Sequence, residues 1–129
     1  MNKSIRDNRI LNSVFLFQGC YFVITGVWPV VHIASFMMAT GPKQETWLVQ
    51  MVGLLSLSIG LTFLRSALRR RDLPVFLGYL VSLSFLIMDI VFVANGTIRP
   101  VYLIDAAIQL LFLTFLSVLL LIKRRQTNN

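Results

Sequence analysis

Residues Leu73 to Ala94 read LPVFLGYLVSLSFLIMDIVFVA, twenty-two positions with a single charge at Asp89. A helix rising about 1.5 Å per residue needs about 20 predominantly apolar residues to cross the hydrocarbon core of a bilayer. This run is long enough to span it. Comparable runs lie on both sides of it: Trp47 to about Leu64, Pro100 to Ile122, and a longer first region from Ile10 to Ala39. Asn95-Gly96 offers a left-handed cap to the quoted span, Pro100 suits the opening turn of the next, and Thr40-Gly41-Pro42-Lys43 closes the first region. Pro29 cannot donate to the carbonyl of Thr25, so the first region is expected to bend or break there, leaving a short outer segment along the membrane interface. The reading is an all-α integral membrane protein, a four-helix antiparallel bundle in one domain over residues 1–129. Its helices are placed at about 10–39, 47–64, 73–94 and 100–122.

Composition agrees with lipid as the solvent. The chain is 57% hydrophobic and 13% charged, with mean hydropathy +0.78, against roughly 25% charged residues in soluble domains. A chain this short could not bury that much apolar surface in water. The net charge of +7 does not indicate nucleic acid, because the basic residues sit in clusters between apolar runs, where lipid head groups lie. One cysteine, Cys20, excludes an internal disulfide and the paired-cysteine membrane thiol oxidoreductases; it reads as a small packing residue.

The clusters alternate along the chain. Lys3, Arg6 and Arg9 precede the first span; Arg65, Arg69, Arg70 and Arg71 follow the second; Lys123, Arg124 and Arg125 follow the fourth. The intervening connections hold only Lys43 and Arg99. By the positive-inside rule both termini are expected in the cytoplasm, with Trp28, Trp47 and Tyr102 forming an aromatic belt at the opposite face. Glycines repeat at seven-residue spacing on the first two spans, Gly19 with Gly26 and Gly53 with Gly60, and Ser56 lies between the second pair. Small residues on one face let helices approach closely, so spans one and two are expected to pack there. Short connections imply that successive spans are neighbours.

Any readable function lies in polar groups within the spans. A carboxylate in hydrocarbon costs about 2.5–3.5 kcal/mol on insertion scales. Asp89 lies eight residues before Thr97, and Asp105 lies eight after it, so the two share a depth and are expected to meet across adjacent helices. Two carboxyls so placed would hold one proton between them, unless Arg99 or His32 neutralises one. Tyr102, Asp105 and Gln109 form a helical stripe; Ser82 shares a face with Asp89; Gln18, Thr25 and His32 recur at seven on the first region; Gln50 stands near the outer end of the second. The inner half is nearly pure hydrocarbon. The pattern describes an outward-facing pocket with Asp89, Asp105, His32, Gln50, Tyr102 and Gln109 as candidate ligand-binding residues. A closed hydrogen-bonded network that only ties the helices together fits the same residues. No catalytic residue, metal ligand set or cofactor is assigned.

The stretch Gly26-x-Trp28-Pro29-x-x-His32-x-x-Ser35-Phe36, with Thr40-Gly41-Pro42-Lys43, Trp47-Leu48-Val49, Asp89 and Tyr102-Leu-x-Asp105, resembles an uncharacterised family of small bacterial four-helix membrane proteins. That resemblance implies a bacterial inner membrane and four helices, and it brings no activity. In plan the chain is also similar to DoxX-like and EXPERA-like membrane proteins. The latter include sterol isomerases and ligand-binding proteins with acidic residues between helices, a part Asp89 and Asp105 would play. Small multidrug transporters share the size, but their essential glutamate lies in the first helix, and this first span has no acid. The expectation is therefore a polytopic protein binding a small apolar or cationic ligand. An accessory bundle that contacts another membrane protein or a second copy comes next, and an isomerase third. Its surroundings are the lipid bilayer, not nucleic acid.

Overall fold

The computed structural model describes residues 3–70 and 72–128, with side chains from Arg9 onward. Arg71 and the side chains of Lys3 and Arg6, used in the charge argument, lie outside the described residues. Five helices follow one another: α1 (Lys3–Val31), α2 (Ile33–Thr40), α3 (Thr46–Arg69), α4 (Val75–Ala94) and α5 (Tyr102–Thr127). All but α2 are long and apolar enough to cross a membrane, and no strand occurs among the described residues. The fold is an all-α membrane bundle.

The helices outrun the apolar segments that predict them. α3 continues to Arg69 and α5 to Thr127, because backbone hydrogen bonding does not stop where hydrocarbon ends. The start of α4 moves the other way, to Val75, with Pro74 as its N-cap, since proline disfavours helical geometry in the residue before it. Gly96 takes φ 73° after α4, and its N–H donates to the Val93 carbonyl at 3.0 Å, the left-handed closure expected of Asn95-Gly96.

Pro29 does not break α1. The helix runs through it to Val31, and the interruption falls at His32, with φ −145° and ψ 78°. Pro29 is fully buried, and its ring lies where a Cβ on Gly53 would stand, 2.9 Å away. Pro29 is thus held against α3. What starts a new helix is a capping exchange. The Ser35 N–H donates to His32 Nδ1 at 3.1 Å, Ser35 Oγ donates to the His32 carbonyl at 3.1 Å, and Trp28 Nε1 donates to Ser35 Oγ at 2.8 Å.

Glycine spacing sets the tightest seam. A Cβ on Gly26 would stand 2.5 Å from the Gly53 carbonyl, and one on Gly60 would stand 2.7 Å from the Gly19 carbonyl. α1 and α3 therefore pack backbone to backbone, as the seven-residue repeats predict. α4 and α5 form the second close pair, and α1 reaches across to α5. The consecutive helices α3 and α4 do not form a close pair, contrary to the expectation from short connections. The glycine seam binds α3 to α1 on one face, and α4 is taken by α5.

Four alternating spans give the bundle two ends. The terminal end holds both chain ends and the α3–α4 link; the far end holds α2, the loop after it, and the α4–α5 turn. The core of Leu11, Phe15, Phe22, Phe63, Ala67, Val81, Leu116 and Leu119 fills the terminal half. Phe63 stacks edge-on against Phe15 and Phe22 at centroid distances of 5.2 and 6.1 Å. Large apolar side chains such as Phe17, Ile24, Leu61 and Leu111 face outward, as a lipid solvent demands. Outward hydroxyls are neutralised locally: Ser58, Thr62, Ser84 and Thr114 each donate to the carbonyl four residues earlier. Cys20 is exposed on this surface and is not the packing residue expected.

Candidate functional site

Toward the far end the packed core gives way to a polar cluster and a cavity. Asp105, in the first turn of α5, is its centre. Tyr21 of α1 donates its hydroxyl to Asp105 Oδ1, and Gln109 Nε2, one turn along α5, donates to the same oxygen at 3.1 Å. Asp89 of α4 lies close beside Asp105. The predicted encounter of the two acids thus occurs. Asp89 is 4% exposed, and its Oδ2 has no partner.

A second polar knot lies deeper. Gln18 Nε2 donates to Ser82 Oγ at 2.8 Å and to the Gly78 carbonyl at 3.2 Å, tying α1 to α4. Both Gln18 and Gln109 are fully buried, and the Oε1 of each lacks a hydrogen bond. Buried acceptors without partners cost free energy, so this interior has acceptor capacity to spare.

The cavity occupies about 450 Å³ between α1, α2, α3 and α5. Tyr21, Phe22, Thr25, Trp28 and Pro29 line it from α1, Phe36 and Thr40 from α2, Leu48, Val49, Val52, Gly53 and Ser56 from α3, Phe85 from α4, Val101 from the cap of α5, and Tyr102, Ile104, Asp105 and Gln109 from α5 itself. Its size falls within the roughly 300–1,000 Å³ usual for small-molecule sites, which are mainly apolar with a few convergent polar groups. α2 forms one wall because the His32 capping exchange turns the chain at that point.

The sequence-predicted residues divide. Asp105, Gln109 and Tyr102 line the cavity. Asp89 stands behind Asp105, outside the lining, and is not part of a charged floor. His32 is exposed and spends Nδ1 capping α2, so it neither neutralises an acid nor walls the site. Gln50 is half-buried and does not line the cavity. Arg99 packs over Gly41, near where a Cβ would lie, and among the described residues it forms no ion pair with Asp105. No group of three metal-binding side chains occurs among the described residues.

The missed participant is Tyr21. It sits three residues after Gln18 and four before Thr25, on the polar stripe already visible on the first span; reading that stripe only at sevens skipped it. Fold and cavity together define a helical membrane bundle with an internal cavity in one half. No family model, curated protein or solved structure matches the chain.

Proposed function

We propose that this chain is a membrane-embedded binding protein that takes a small, mainly apolar molecule into the cavity between α1, α2, α3 and α5. The observation that carries this reading is a cavity of about 450 Å³ in a bundle whose other half is filled by stacked aromatics. A solute dissolved in the bilayer reaches such a site without crossing water. An apolar ligand is favoured over a cationic one because Asp105 Oδ1 already accepts two hydrogen bonds and its carboxyl meets Asp89. The basic residues Arg9, Arg65, Arg69, Arg70, Lys123, Arg124 and Arg125 at the terminal end support a cytoplasmic position for that end, with the cavity toward the outer face. The motif likeness to small bacterial membrane proteins supports the inner membrane of a bacterium as its location. C-terminal fusions to a cytoplasm-active and a periplasm-active reporter check that orientation; activity of the latter would reverse it.

The binding test uses the purified chain in phosphatidylcholine nanodiscs and follows Trp28, which lines the cavity, with Trp47 as the only other indole. Dodecanol is expected to change the fluorescence saturably, and Thr25→Phe, which fills the cavity, to abolish that change. A non-saturating response equal in both proteins overturns the binding reading. The rival reading, a network that only joins helices, has its own support: Tyr21, Gln109 and Asp89 all converge on Asp105. It predicts that Asp105→Asn lowers thermal stability while dodecanol has no saturable effect on either protein.

A further inference from the structure

A second hollow of about 400 Å³ lies at the far end, between the loop after α2 and the α4–α5 turn. Lys43 and Arg99 line it together with Gly41, Gly96 and Thr97. Thr40 belongs to both hollows. The Lys43 ammonium lies 5.1 Å from the ring centroid of Tyr102, and Tyr102 lines the apolar cavity. The polar hollow therefore adjoins the apolar one at its lip.

The charge at this lip is one-sided. Lys43 Nζ donates to the Thr40 and Gly41 carbonyls at 3.1 and 3.3 Å, which fixes the ammonium in place and leaves one N–H. Arg99 packs against Gly41, whose φ of 98° and absent Cβ make room for it. The only acid of this loop, Glu45, accepts from Trp47 Nε1 at 2.7 Å. Two cations, Lys43 fixed by hydrogen bonds and Arg99 lying against Gly41, have no carboxylate partner among the described residues and offer charge-assisted hydrogen bonds to an anion.

Resting on the binding reading above, we infer that the ligand is a single-chain anionic amphiphile, with its tail in the apolar cavity and a phosphate or like head group between Lys43 and Arg99. The two hollows are the two halves of one site. Tail length sets affinity through burial, about fourfold per methylene until the cavity is full. The head group adds at least about tenfold through charge-assisted bonds.

The test titrates the full chain in phosphatidylcholine nanodiscs with dodecyl phosphate, dodecanol, dodecyltrimethylammonium and inorganic phosphate, reading tryptophan fluorescence against empty discs. Dodecyl phosphate is expected to bind at least about tenfold tighter than dodecanol. The double variant Lys43→Gln/Arg99→Gln should erase that advantage and leave dodecanol binding intact, which also shows that the variant folds. Equal binding of dodecyl phosphate and dodecanol in the wild type overturns the head-group assignment while the cavity reading stands. Preference for dodecyltrimethylammonium, lost in Asp105→Asn, overturns it in favour of a cation site. Inorganic phosphate binding as tightly as dodecyl phosphate overturns the role of the tail. If no dodecyl compound binds saturably and Thr25→Phe behaves as wild type, the cavity reading itself falls.

Discussion

The terminal half and the far half of this bundle solve the same problem differently. In the terminal half, Phe15 and Phe63 interlock on the shared seam of α1 and α3, Phe22 joins them at the boundary with the cavity, and Leu116 closes the space from α5. In the far half the same helices leave a cavity, and what joins them is a hydrogen-bonded cluster of Tyr21, Asp105 and Gln109 with Asp89 beside it. Between membrane helices there is little hydrophobic driving force, because lipid tails are as apolar as side chains; packing and polar contacts do the work. The terminal half uses packing, and the far half uses polar contacts. The difference shows that a bundle can give up close packing in one half when the other is filled.

The sharpest way to break this comparison is to hollow out the packed half. Phe63 is fully buried and stacks on two rings, so Phe63→Ala is expected to cost about 3–4 kcal/mol in detergent-based unfolding, the range for large-to-small changes in a tight core. Val52→Ala, on the cavity wall, removes atoms that already face empty space and is expected to cost less than about 0.5 kcal/mol. Similar costs at the two positions would mean that the halves are packed alike.

The seam between α1 and α3 comes next. In Gly60→Ala the new methyl group meets the Gly19 carbonyl and the Val23 nitrogen, each at 2.7 Å. Both obstacles are backbone, so the helices must separate, at about 2 kcal/mol. Gly96→Ala has open space around it and φ 73°, so it suffers only the backbone strain of about 1 kcal/mol. Equal destabilisation would show that conformation, not helix approach, governs the glycines.

Polar contacts should rank below both. Tyr21→Phe removes the hydroxyl that donates to Asp105 and is expected to cost about 1–2 kcal/mol, at the upper end for membrane hydrogen bonds. Tyr79→Phe, which loses a contact at 3.0 Å with Ser117 in the packed half, should cost about 0.5 kcal/mol. A double-mutant cycle of Tyr21→Phe with Asp105→Asn separates the pair from its surroundings; zero coupling would remove Tyr21 from the cluster.

These differences follow how much of the molecule was legible in its sequence. Apolar run length found every span, because bilayer thickness imposes it. Seven-residue glycine spacing found the α1–α3 seam, because close approach needs faces without side chains. The meeting of Asp89 and Asp105 was legible from equal depth on neighbouring spans. What escaped depends on how whole helices sit. Gln50 and His32 have the right chemistry and depth, but helix rotation and the break at His32 turn them away from the cavity. Tyr21 escaped because a tyrosine on a membrane helix reads as an interfacial or packing residue until its partner is known. The separation of α3 from α4 escaped because a short connection limits distance without dictating which face is chosen.

The smallest expected effect concerns the wall that α2 provides. No residue of α2 is buried, so few contacts hold the helix: the His32, Ser35 and Trp28 exchange at the start, the Phe36 ring edge-on against Trp28, and Lys43 at the Thr40 and Gly41 carbonyls at the finish. His32→Ala deletes the acceptor for the Ser35 N–H, a loss of about 1 kcal/mol for a helix cap. That loss falls on α2 alone, because the four spans do not depend on it for packing. Global unfolding should therefore shift by less than about 0.5 kcal/mol, while amide exchange over Ile33–Thr40 rises about fivefold, the ratio that 1 kcal/mol implies. The far half would then be the softer half in motion as well as in packing, with the α2 wall opening independently of the bundle. Exchange that rises equally in α2 and in the terminal half would mean that the two halves unfold as one unit, and the contrast between them would be one of shape only.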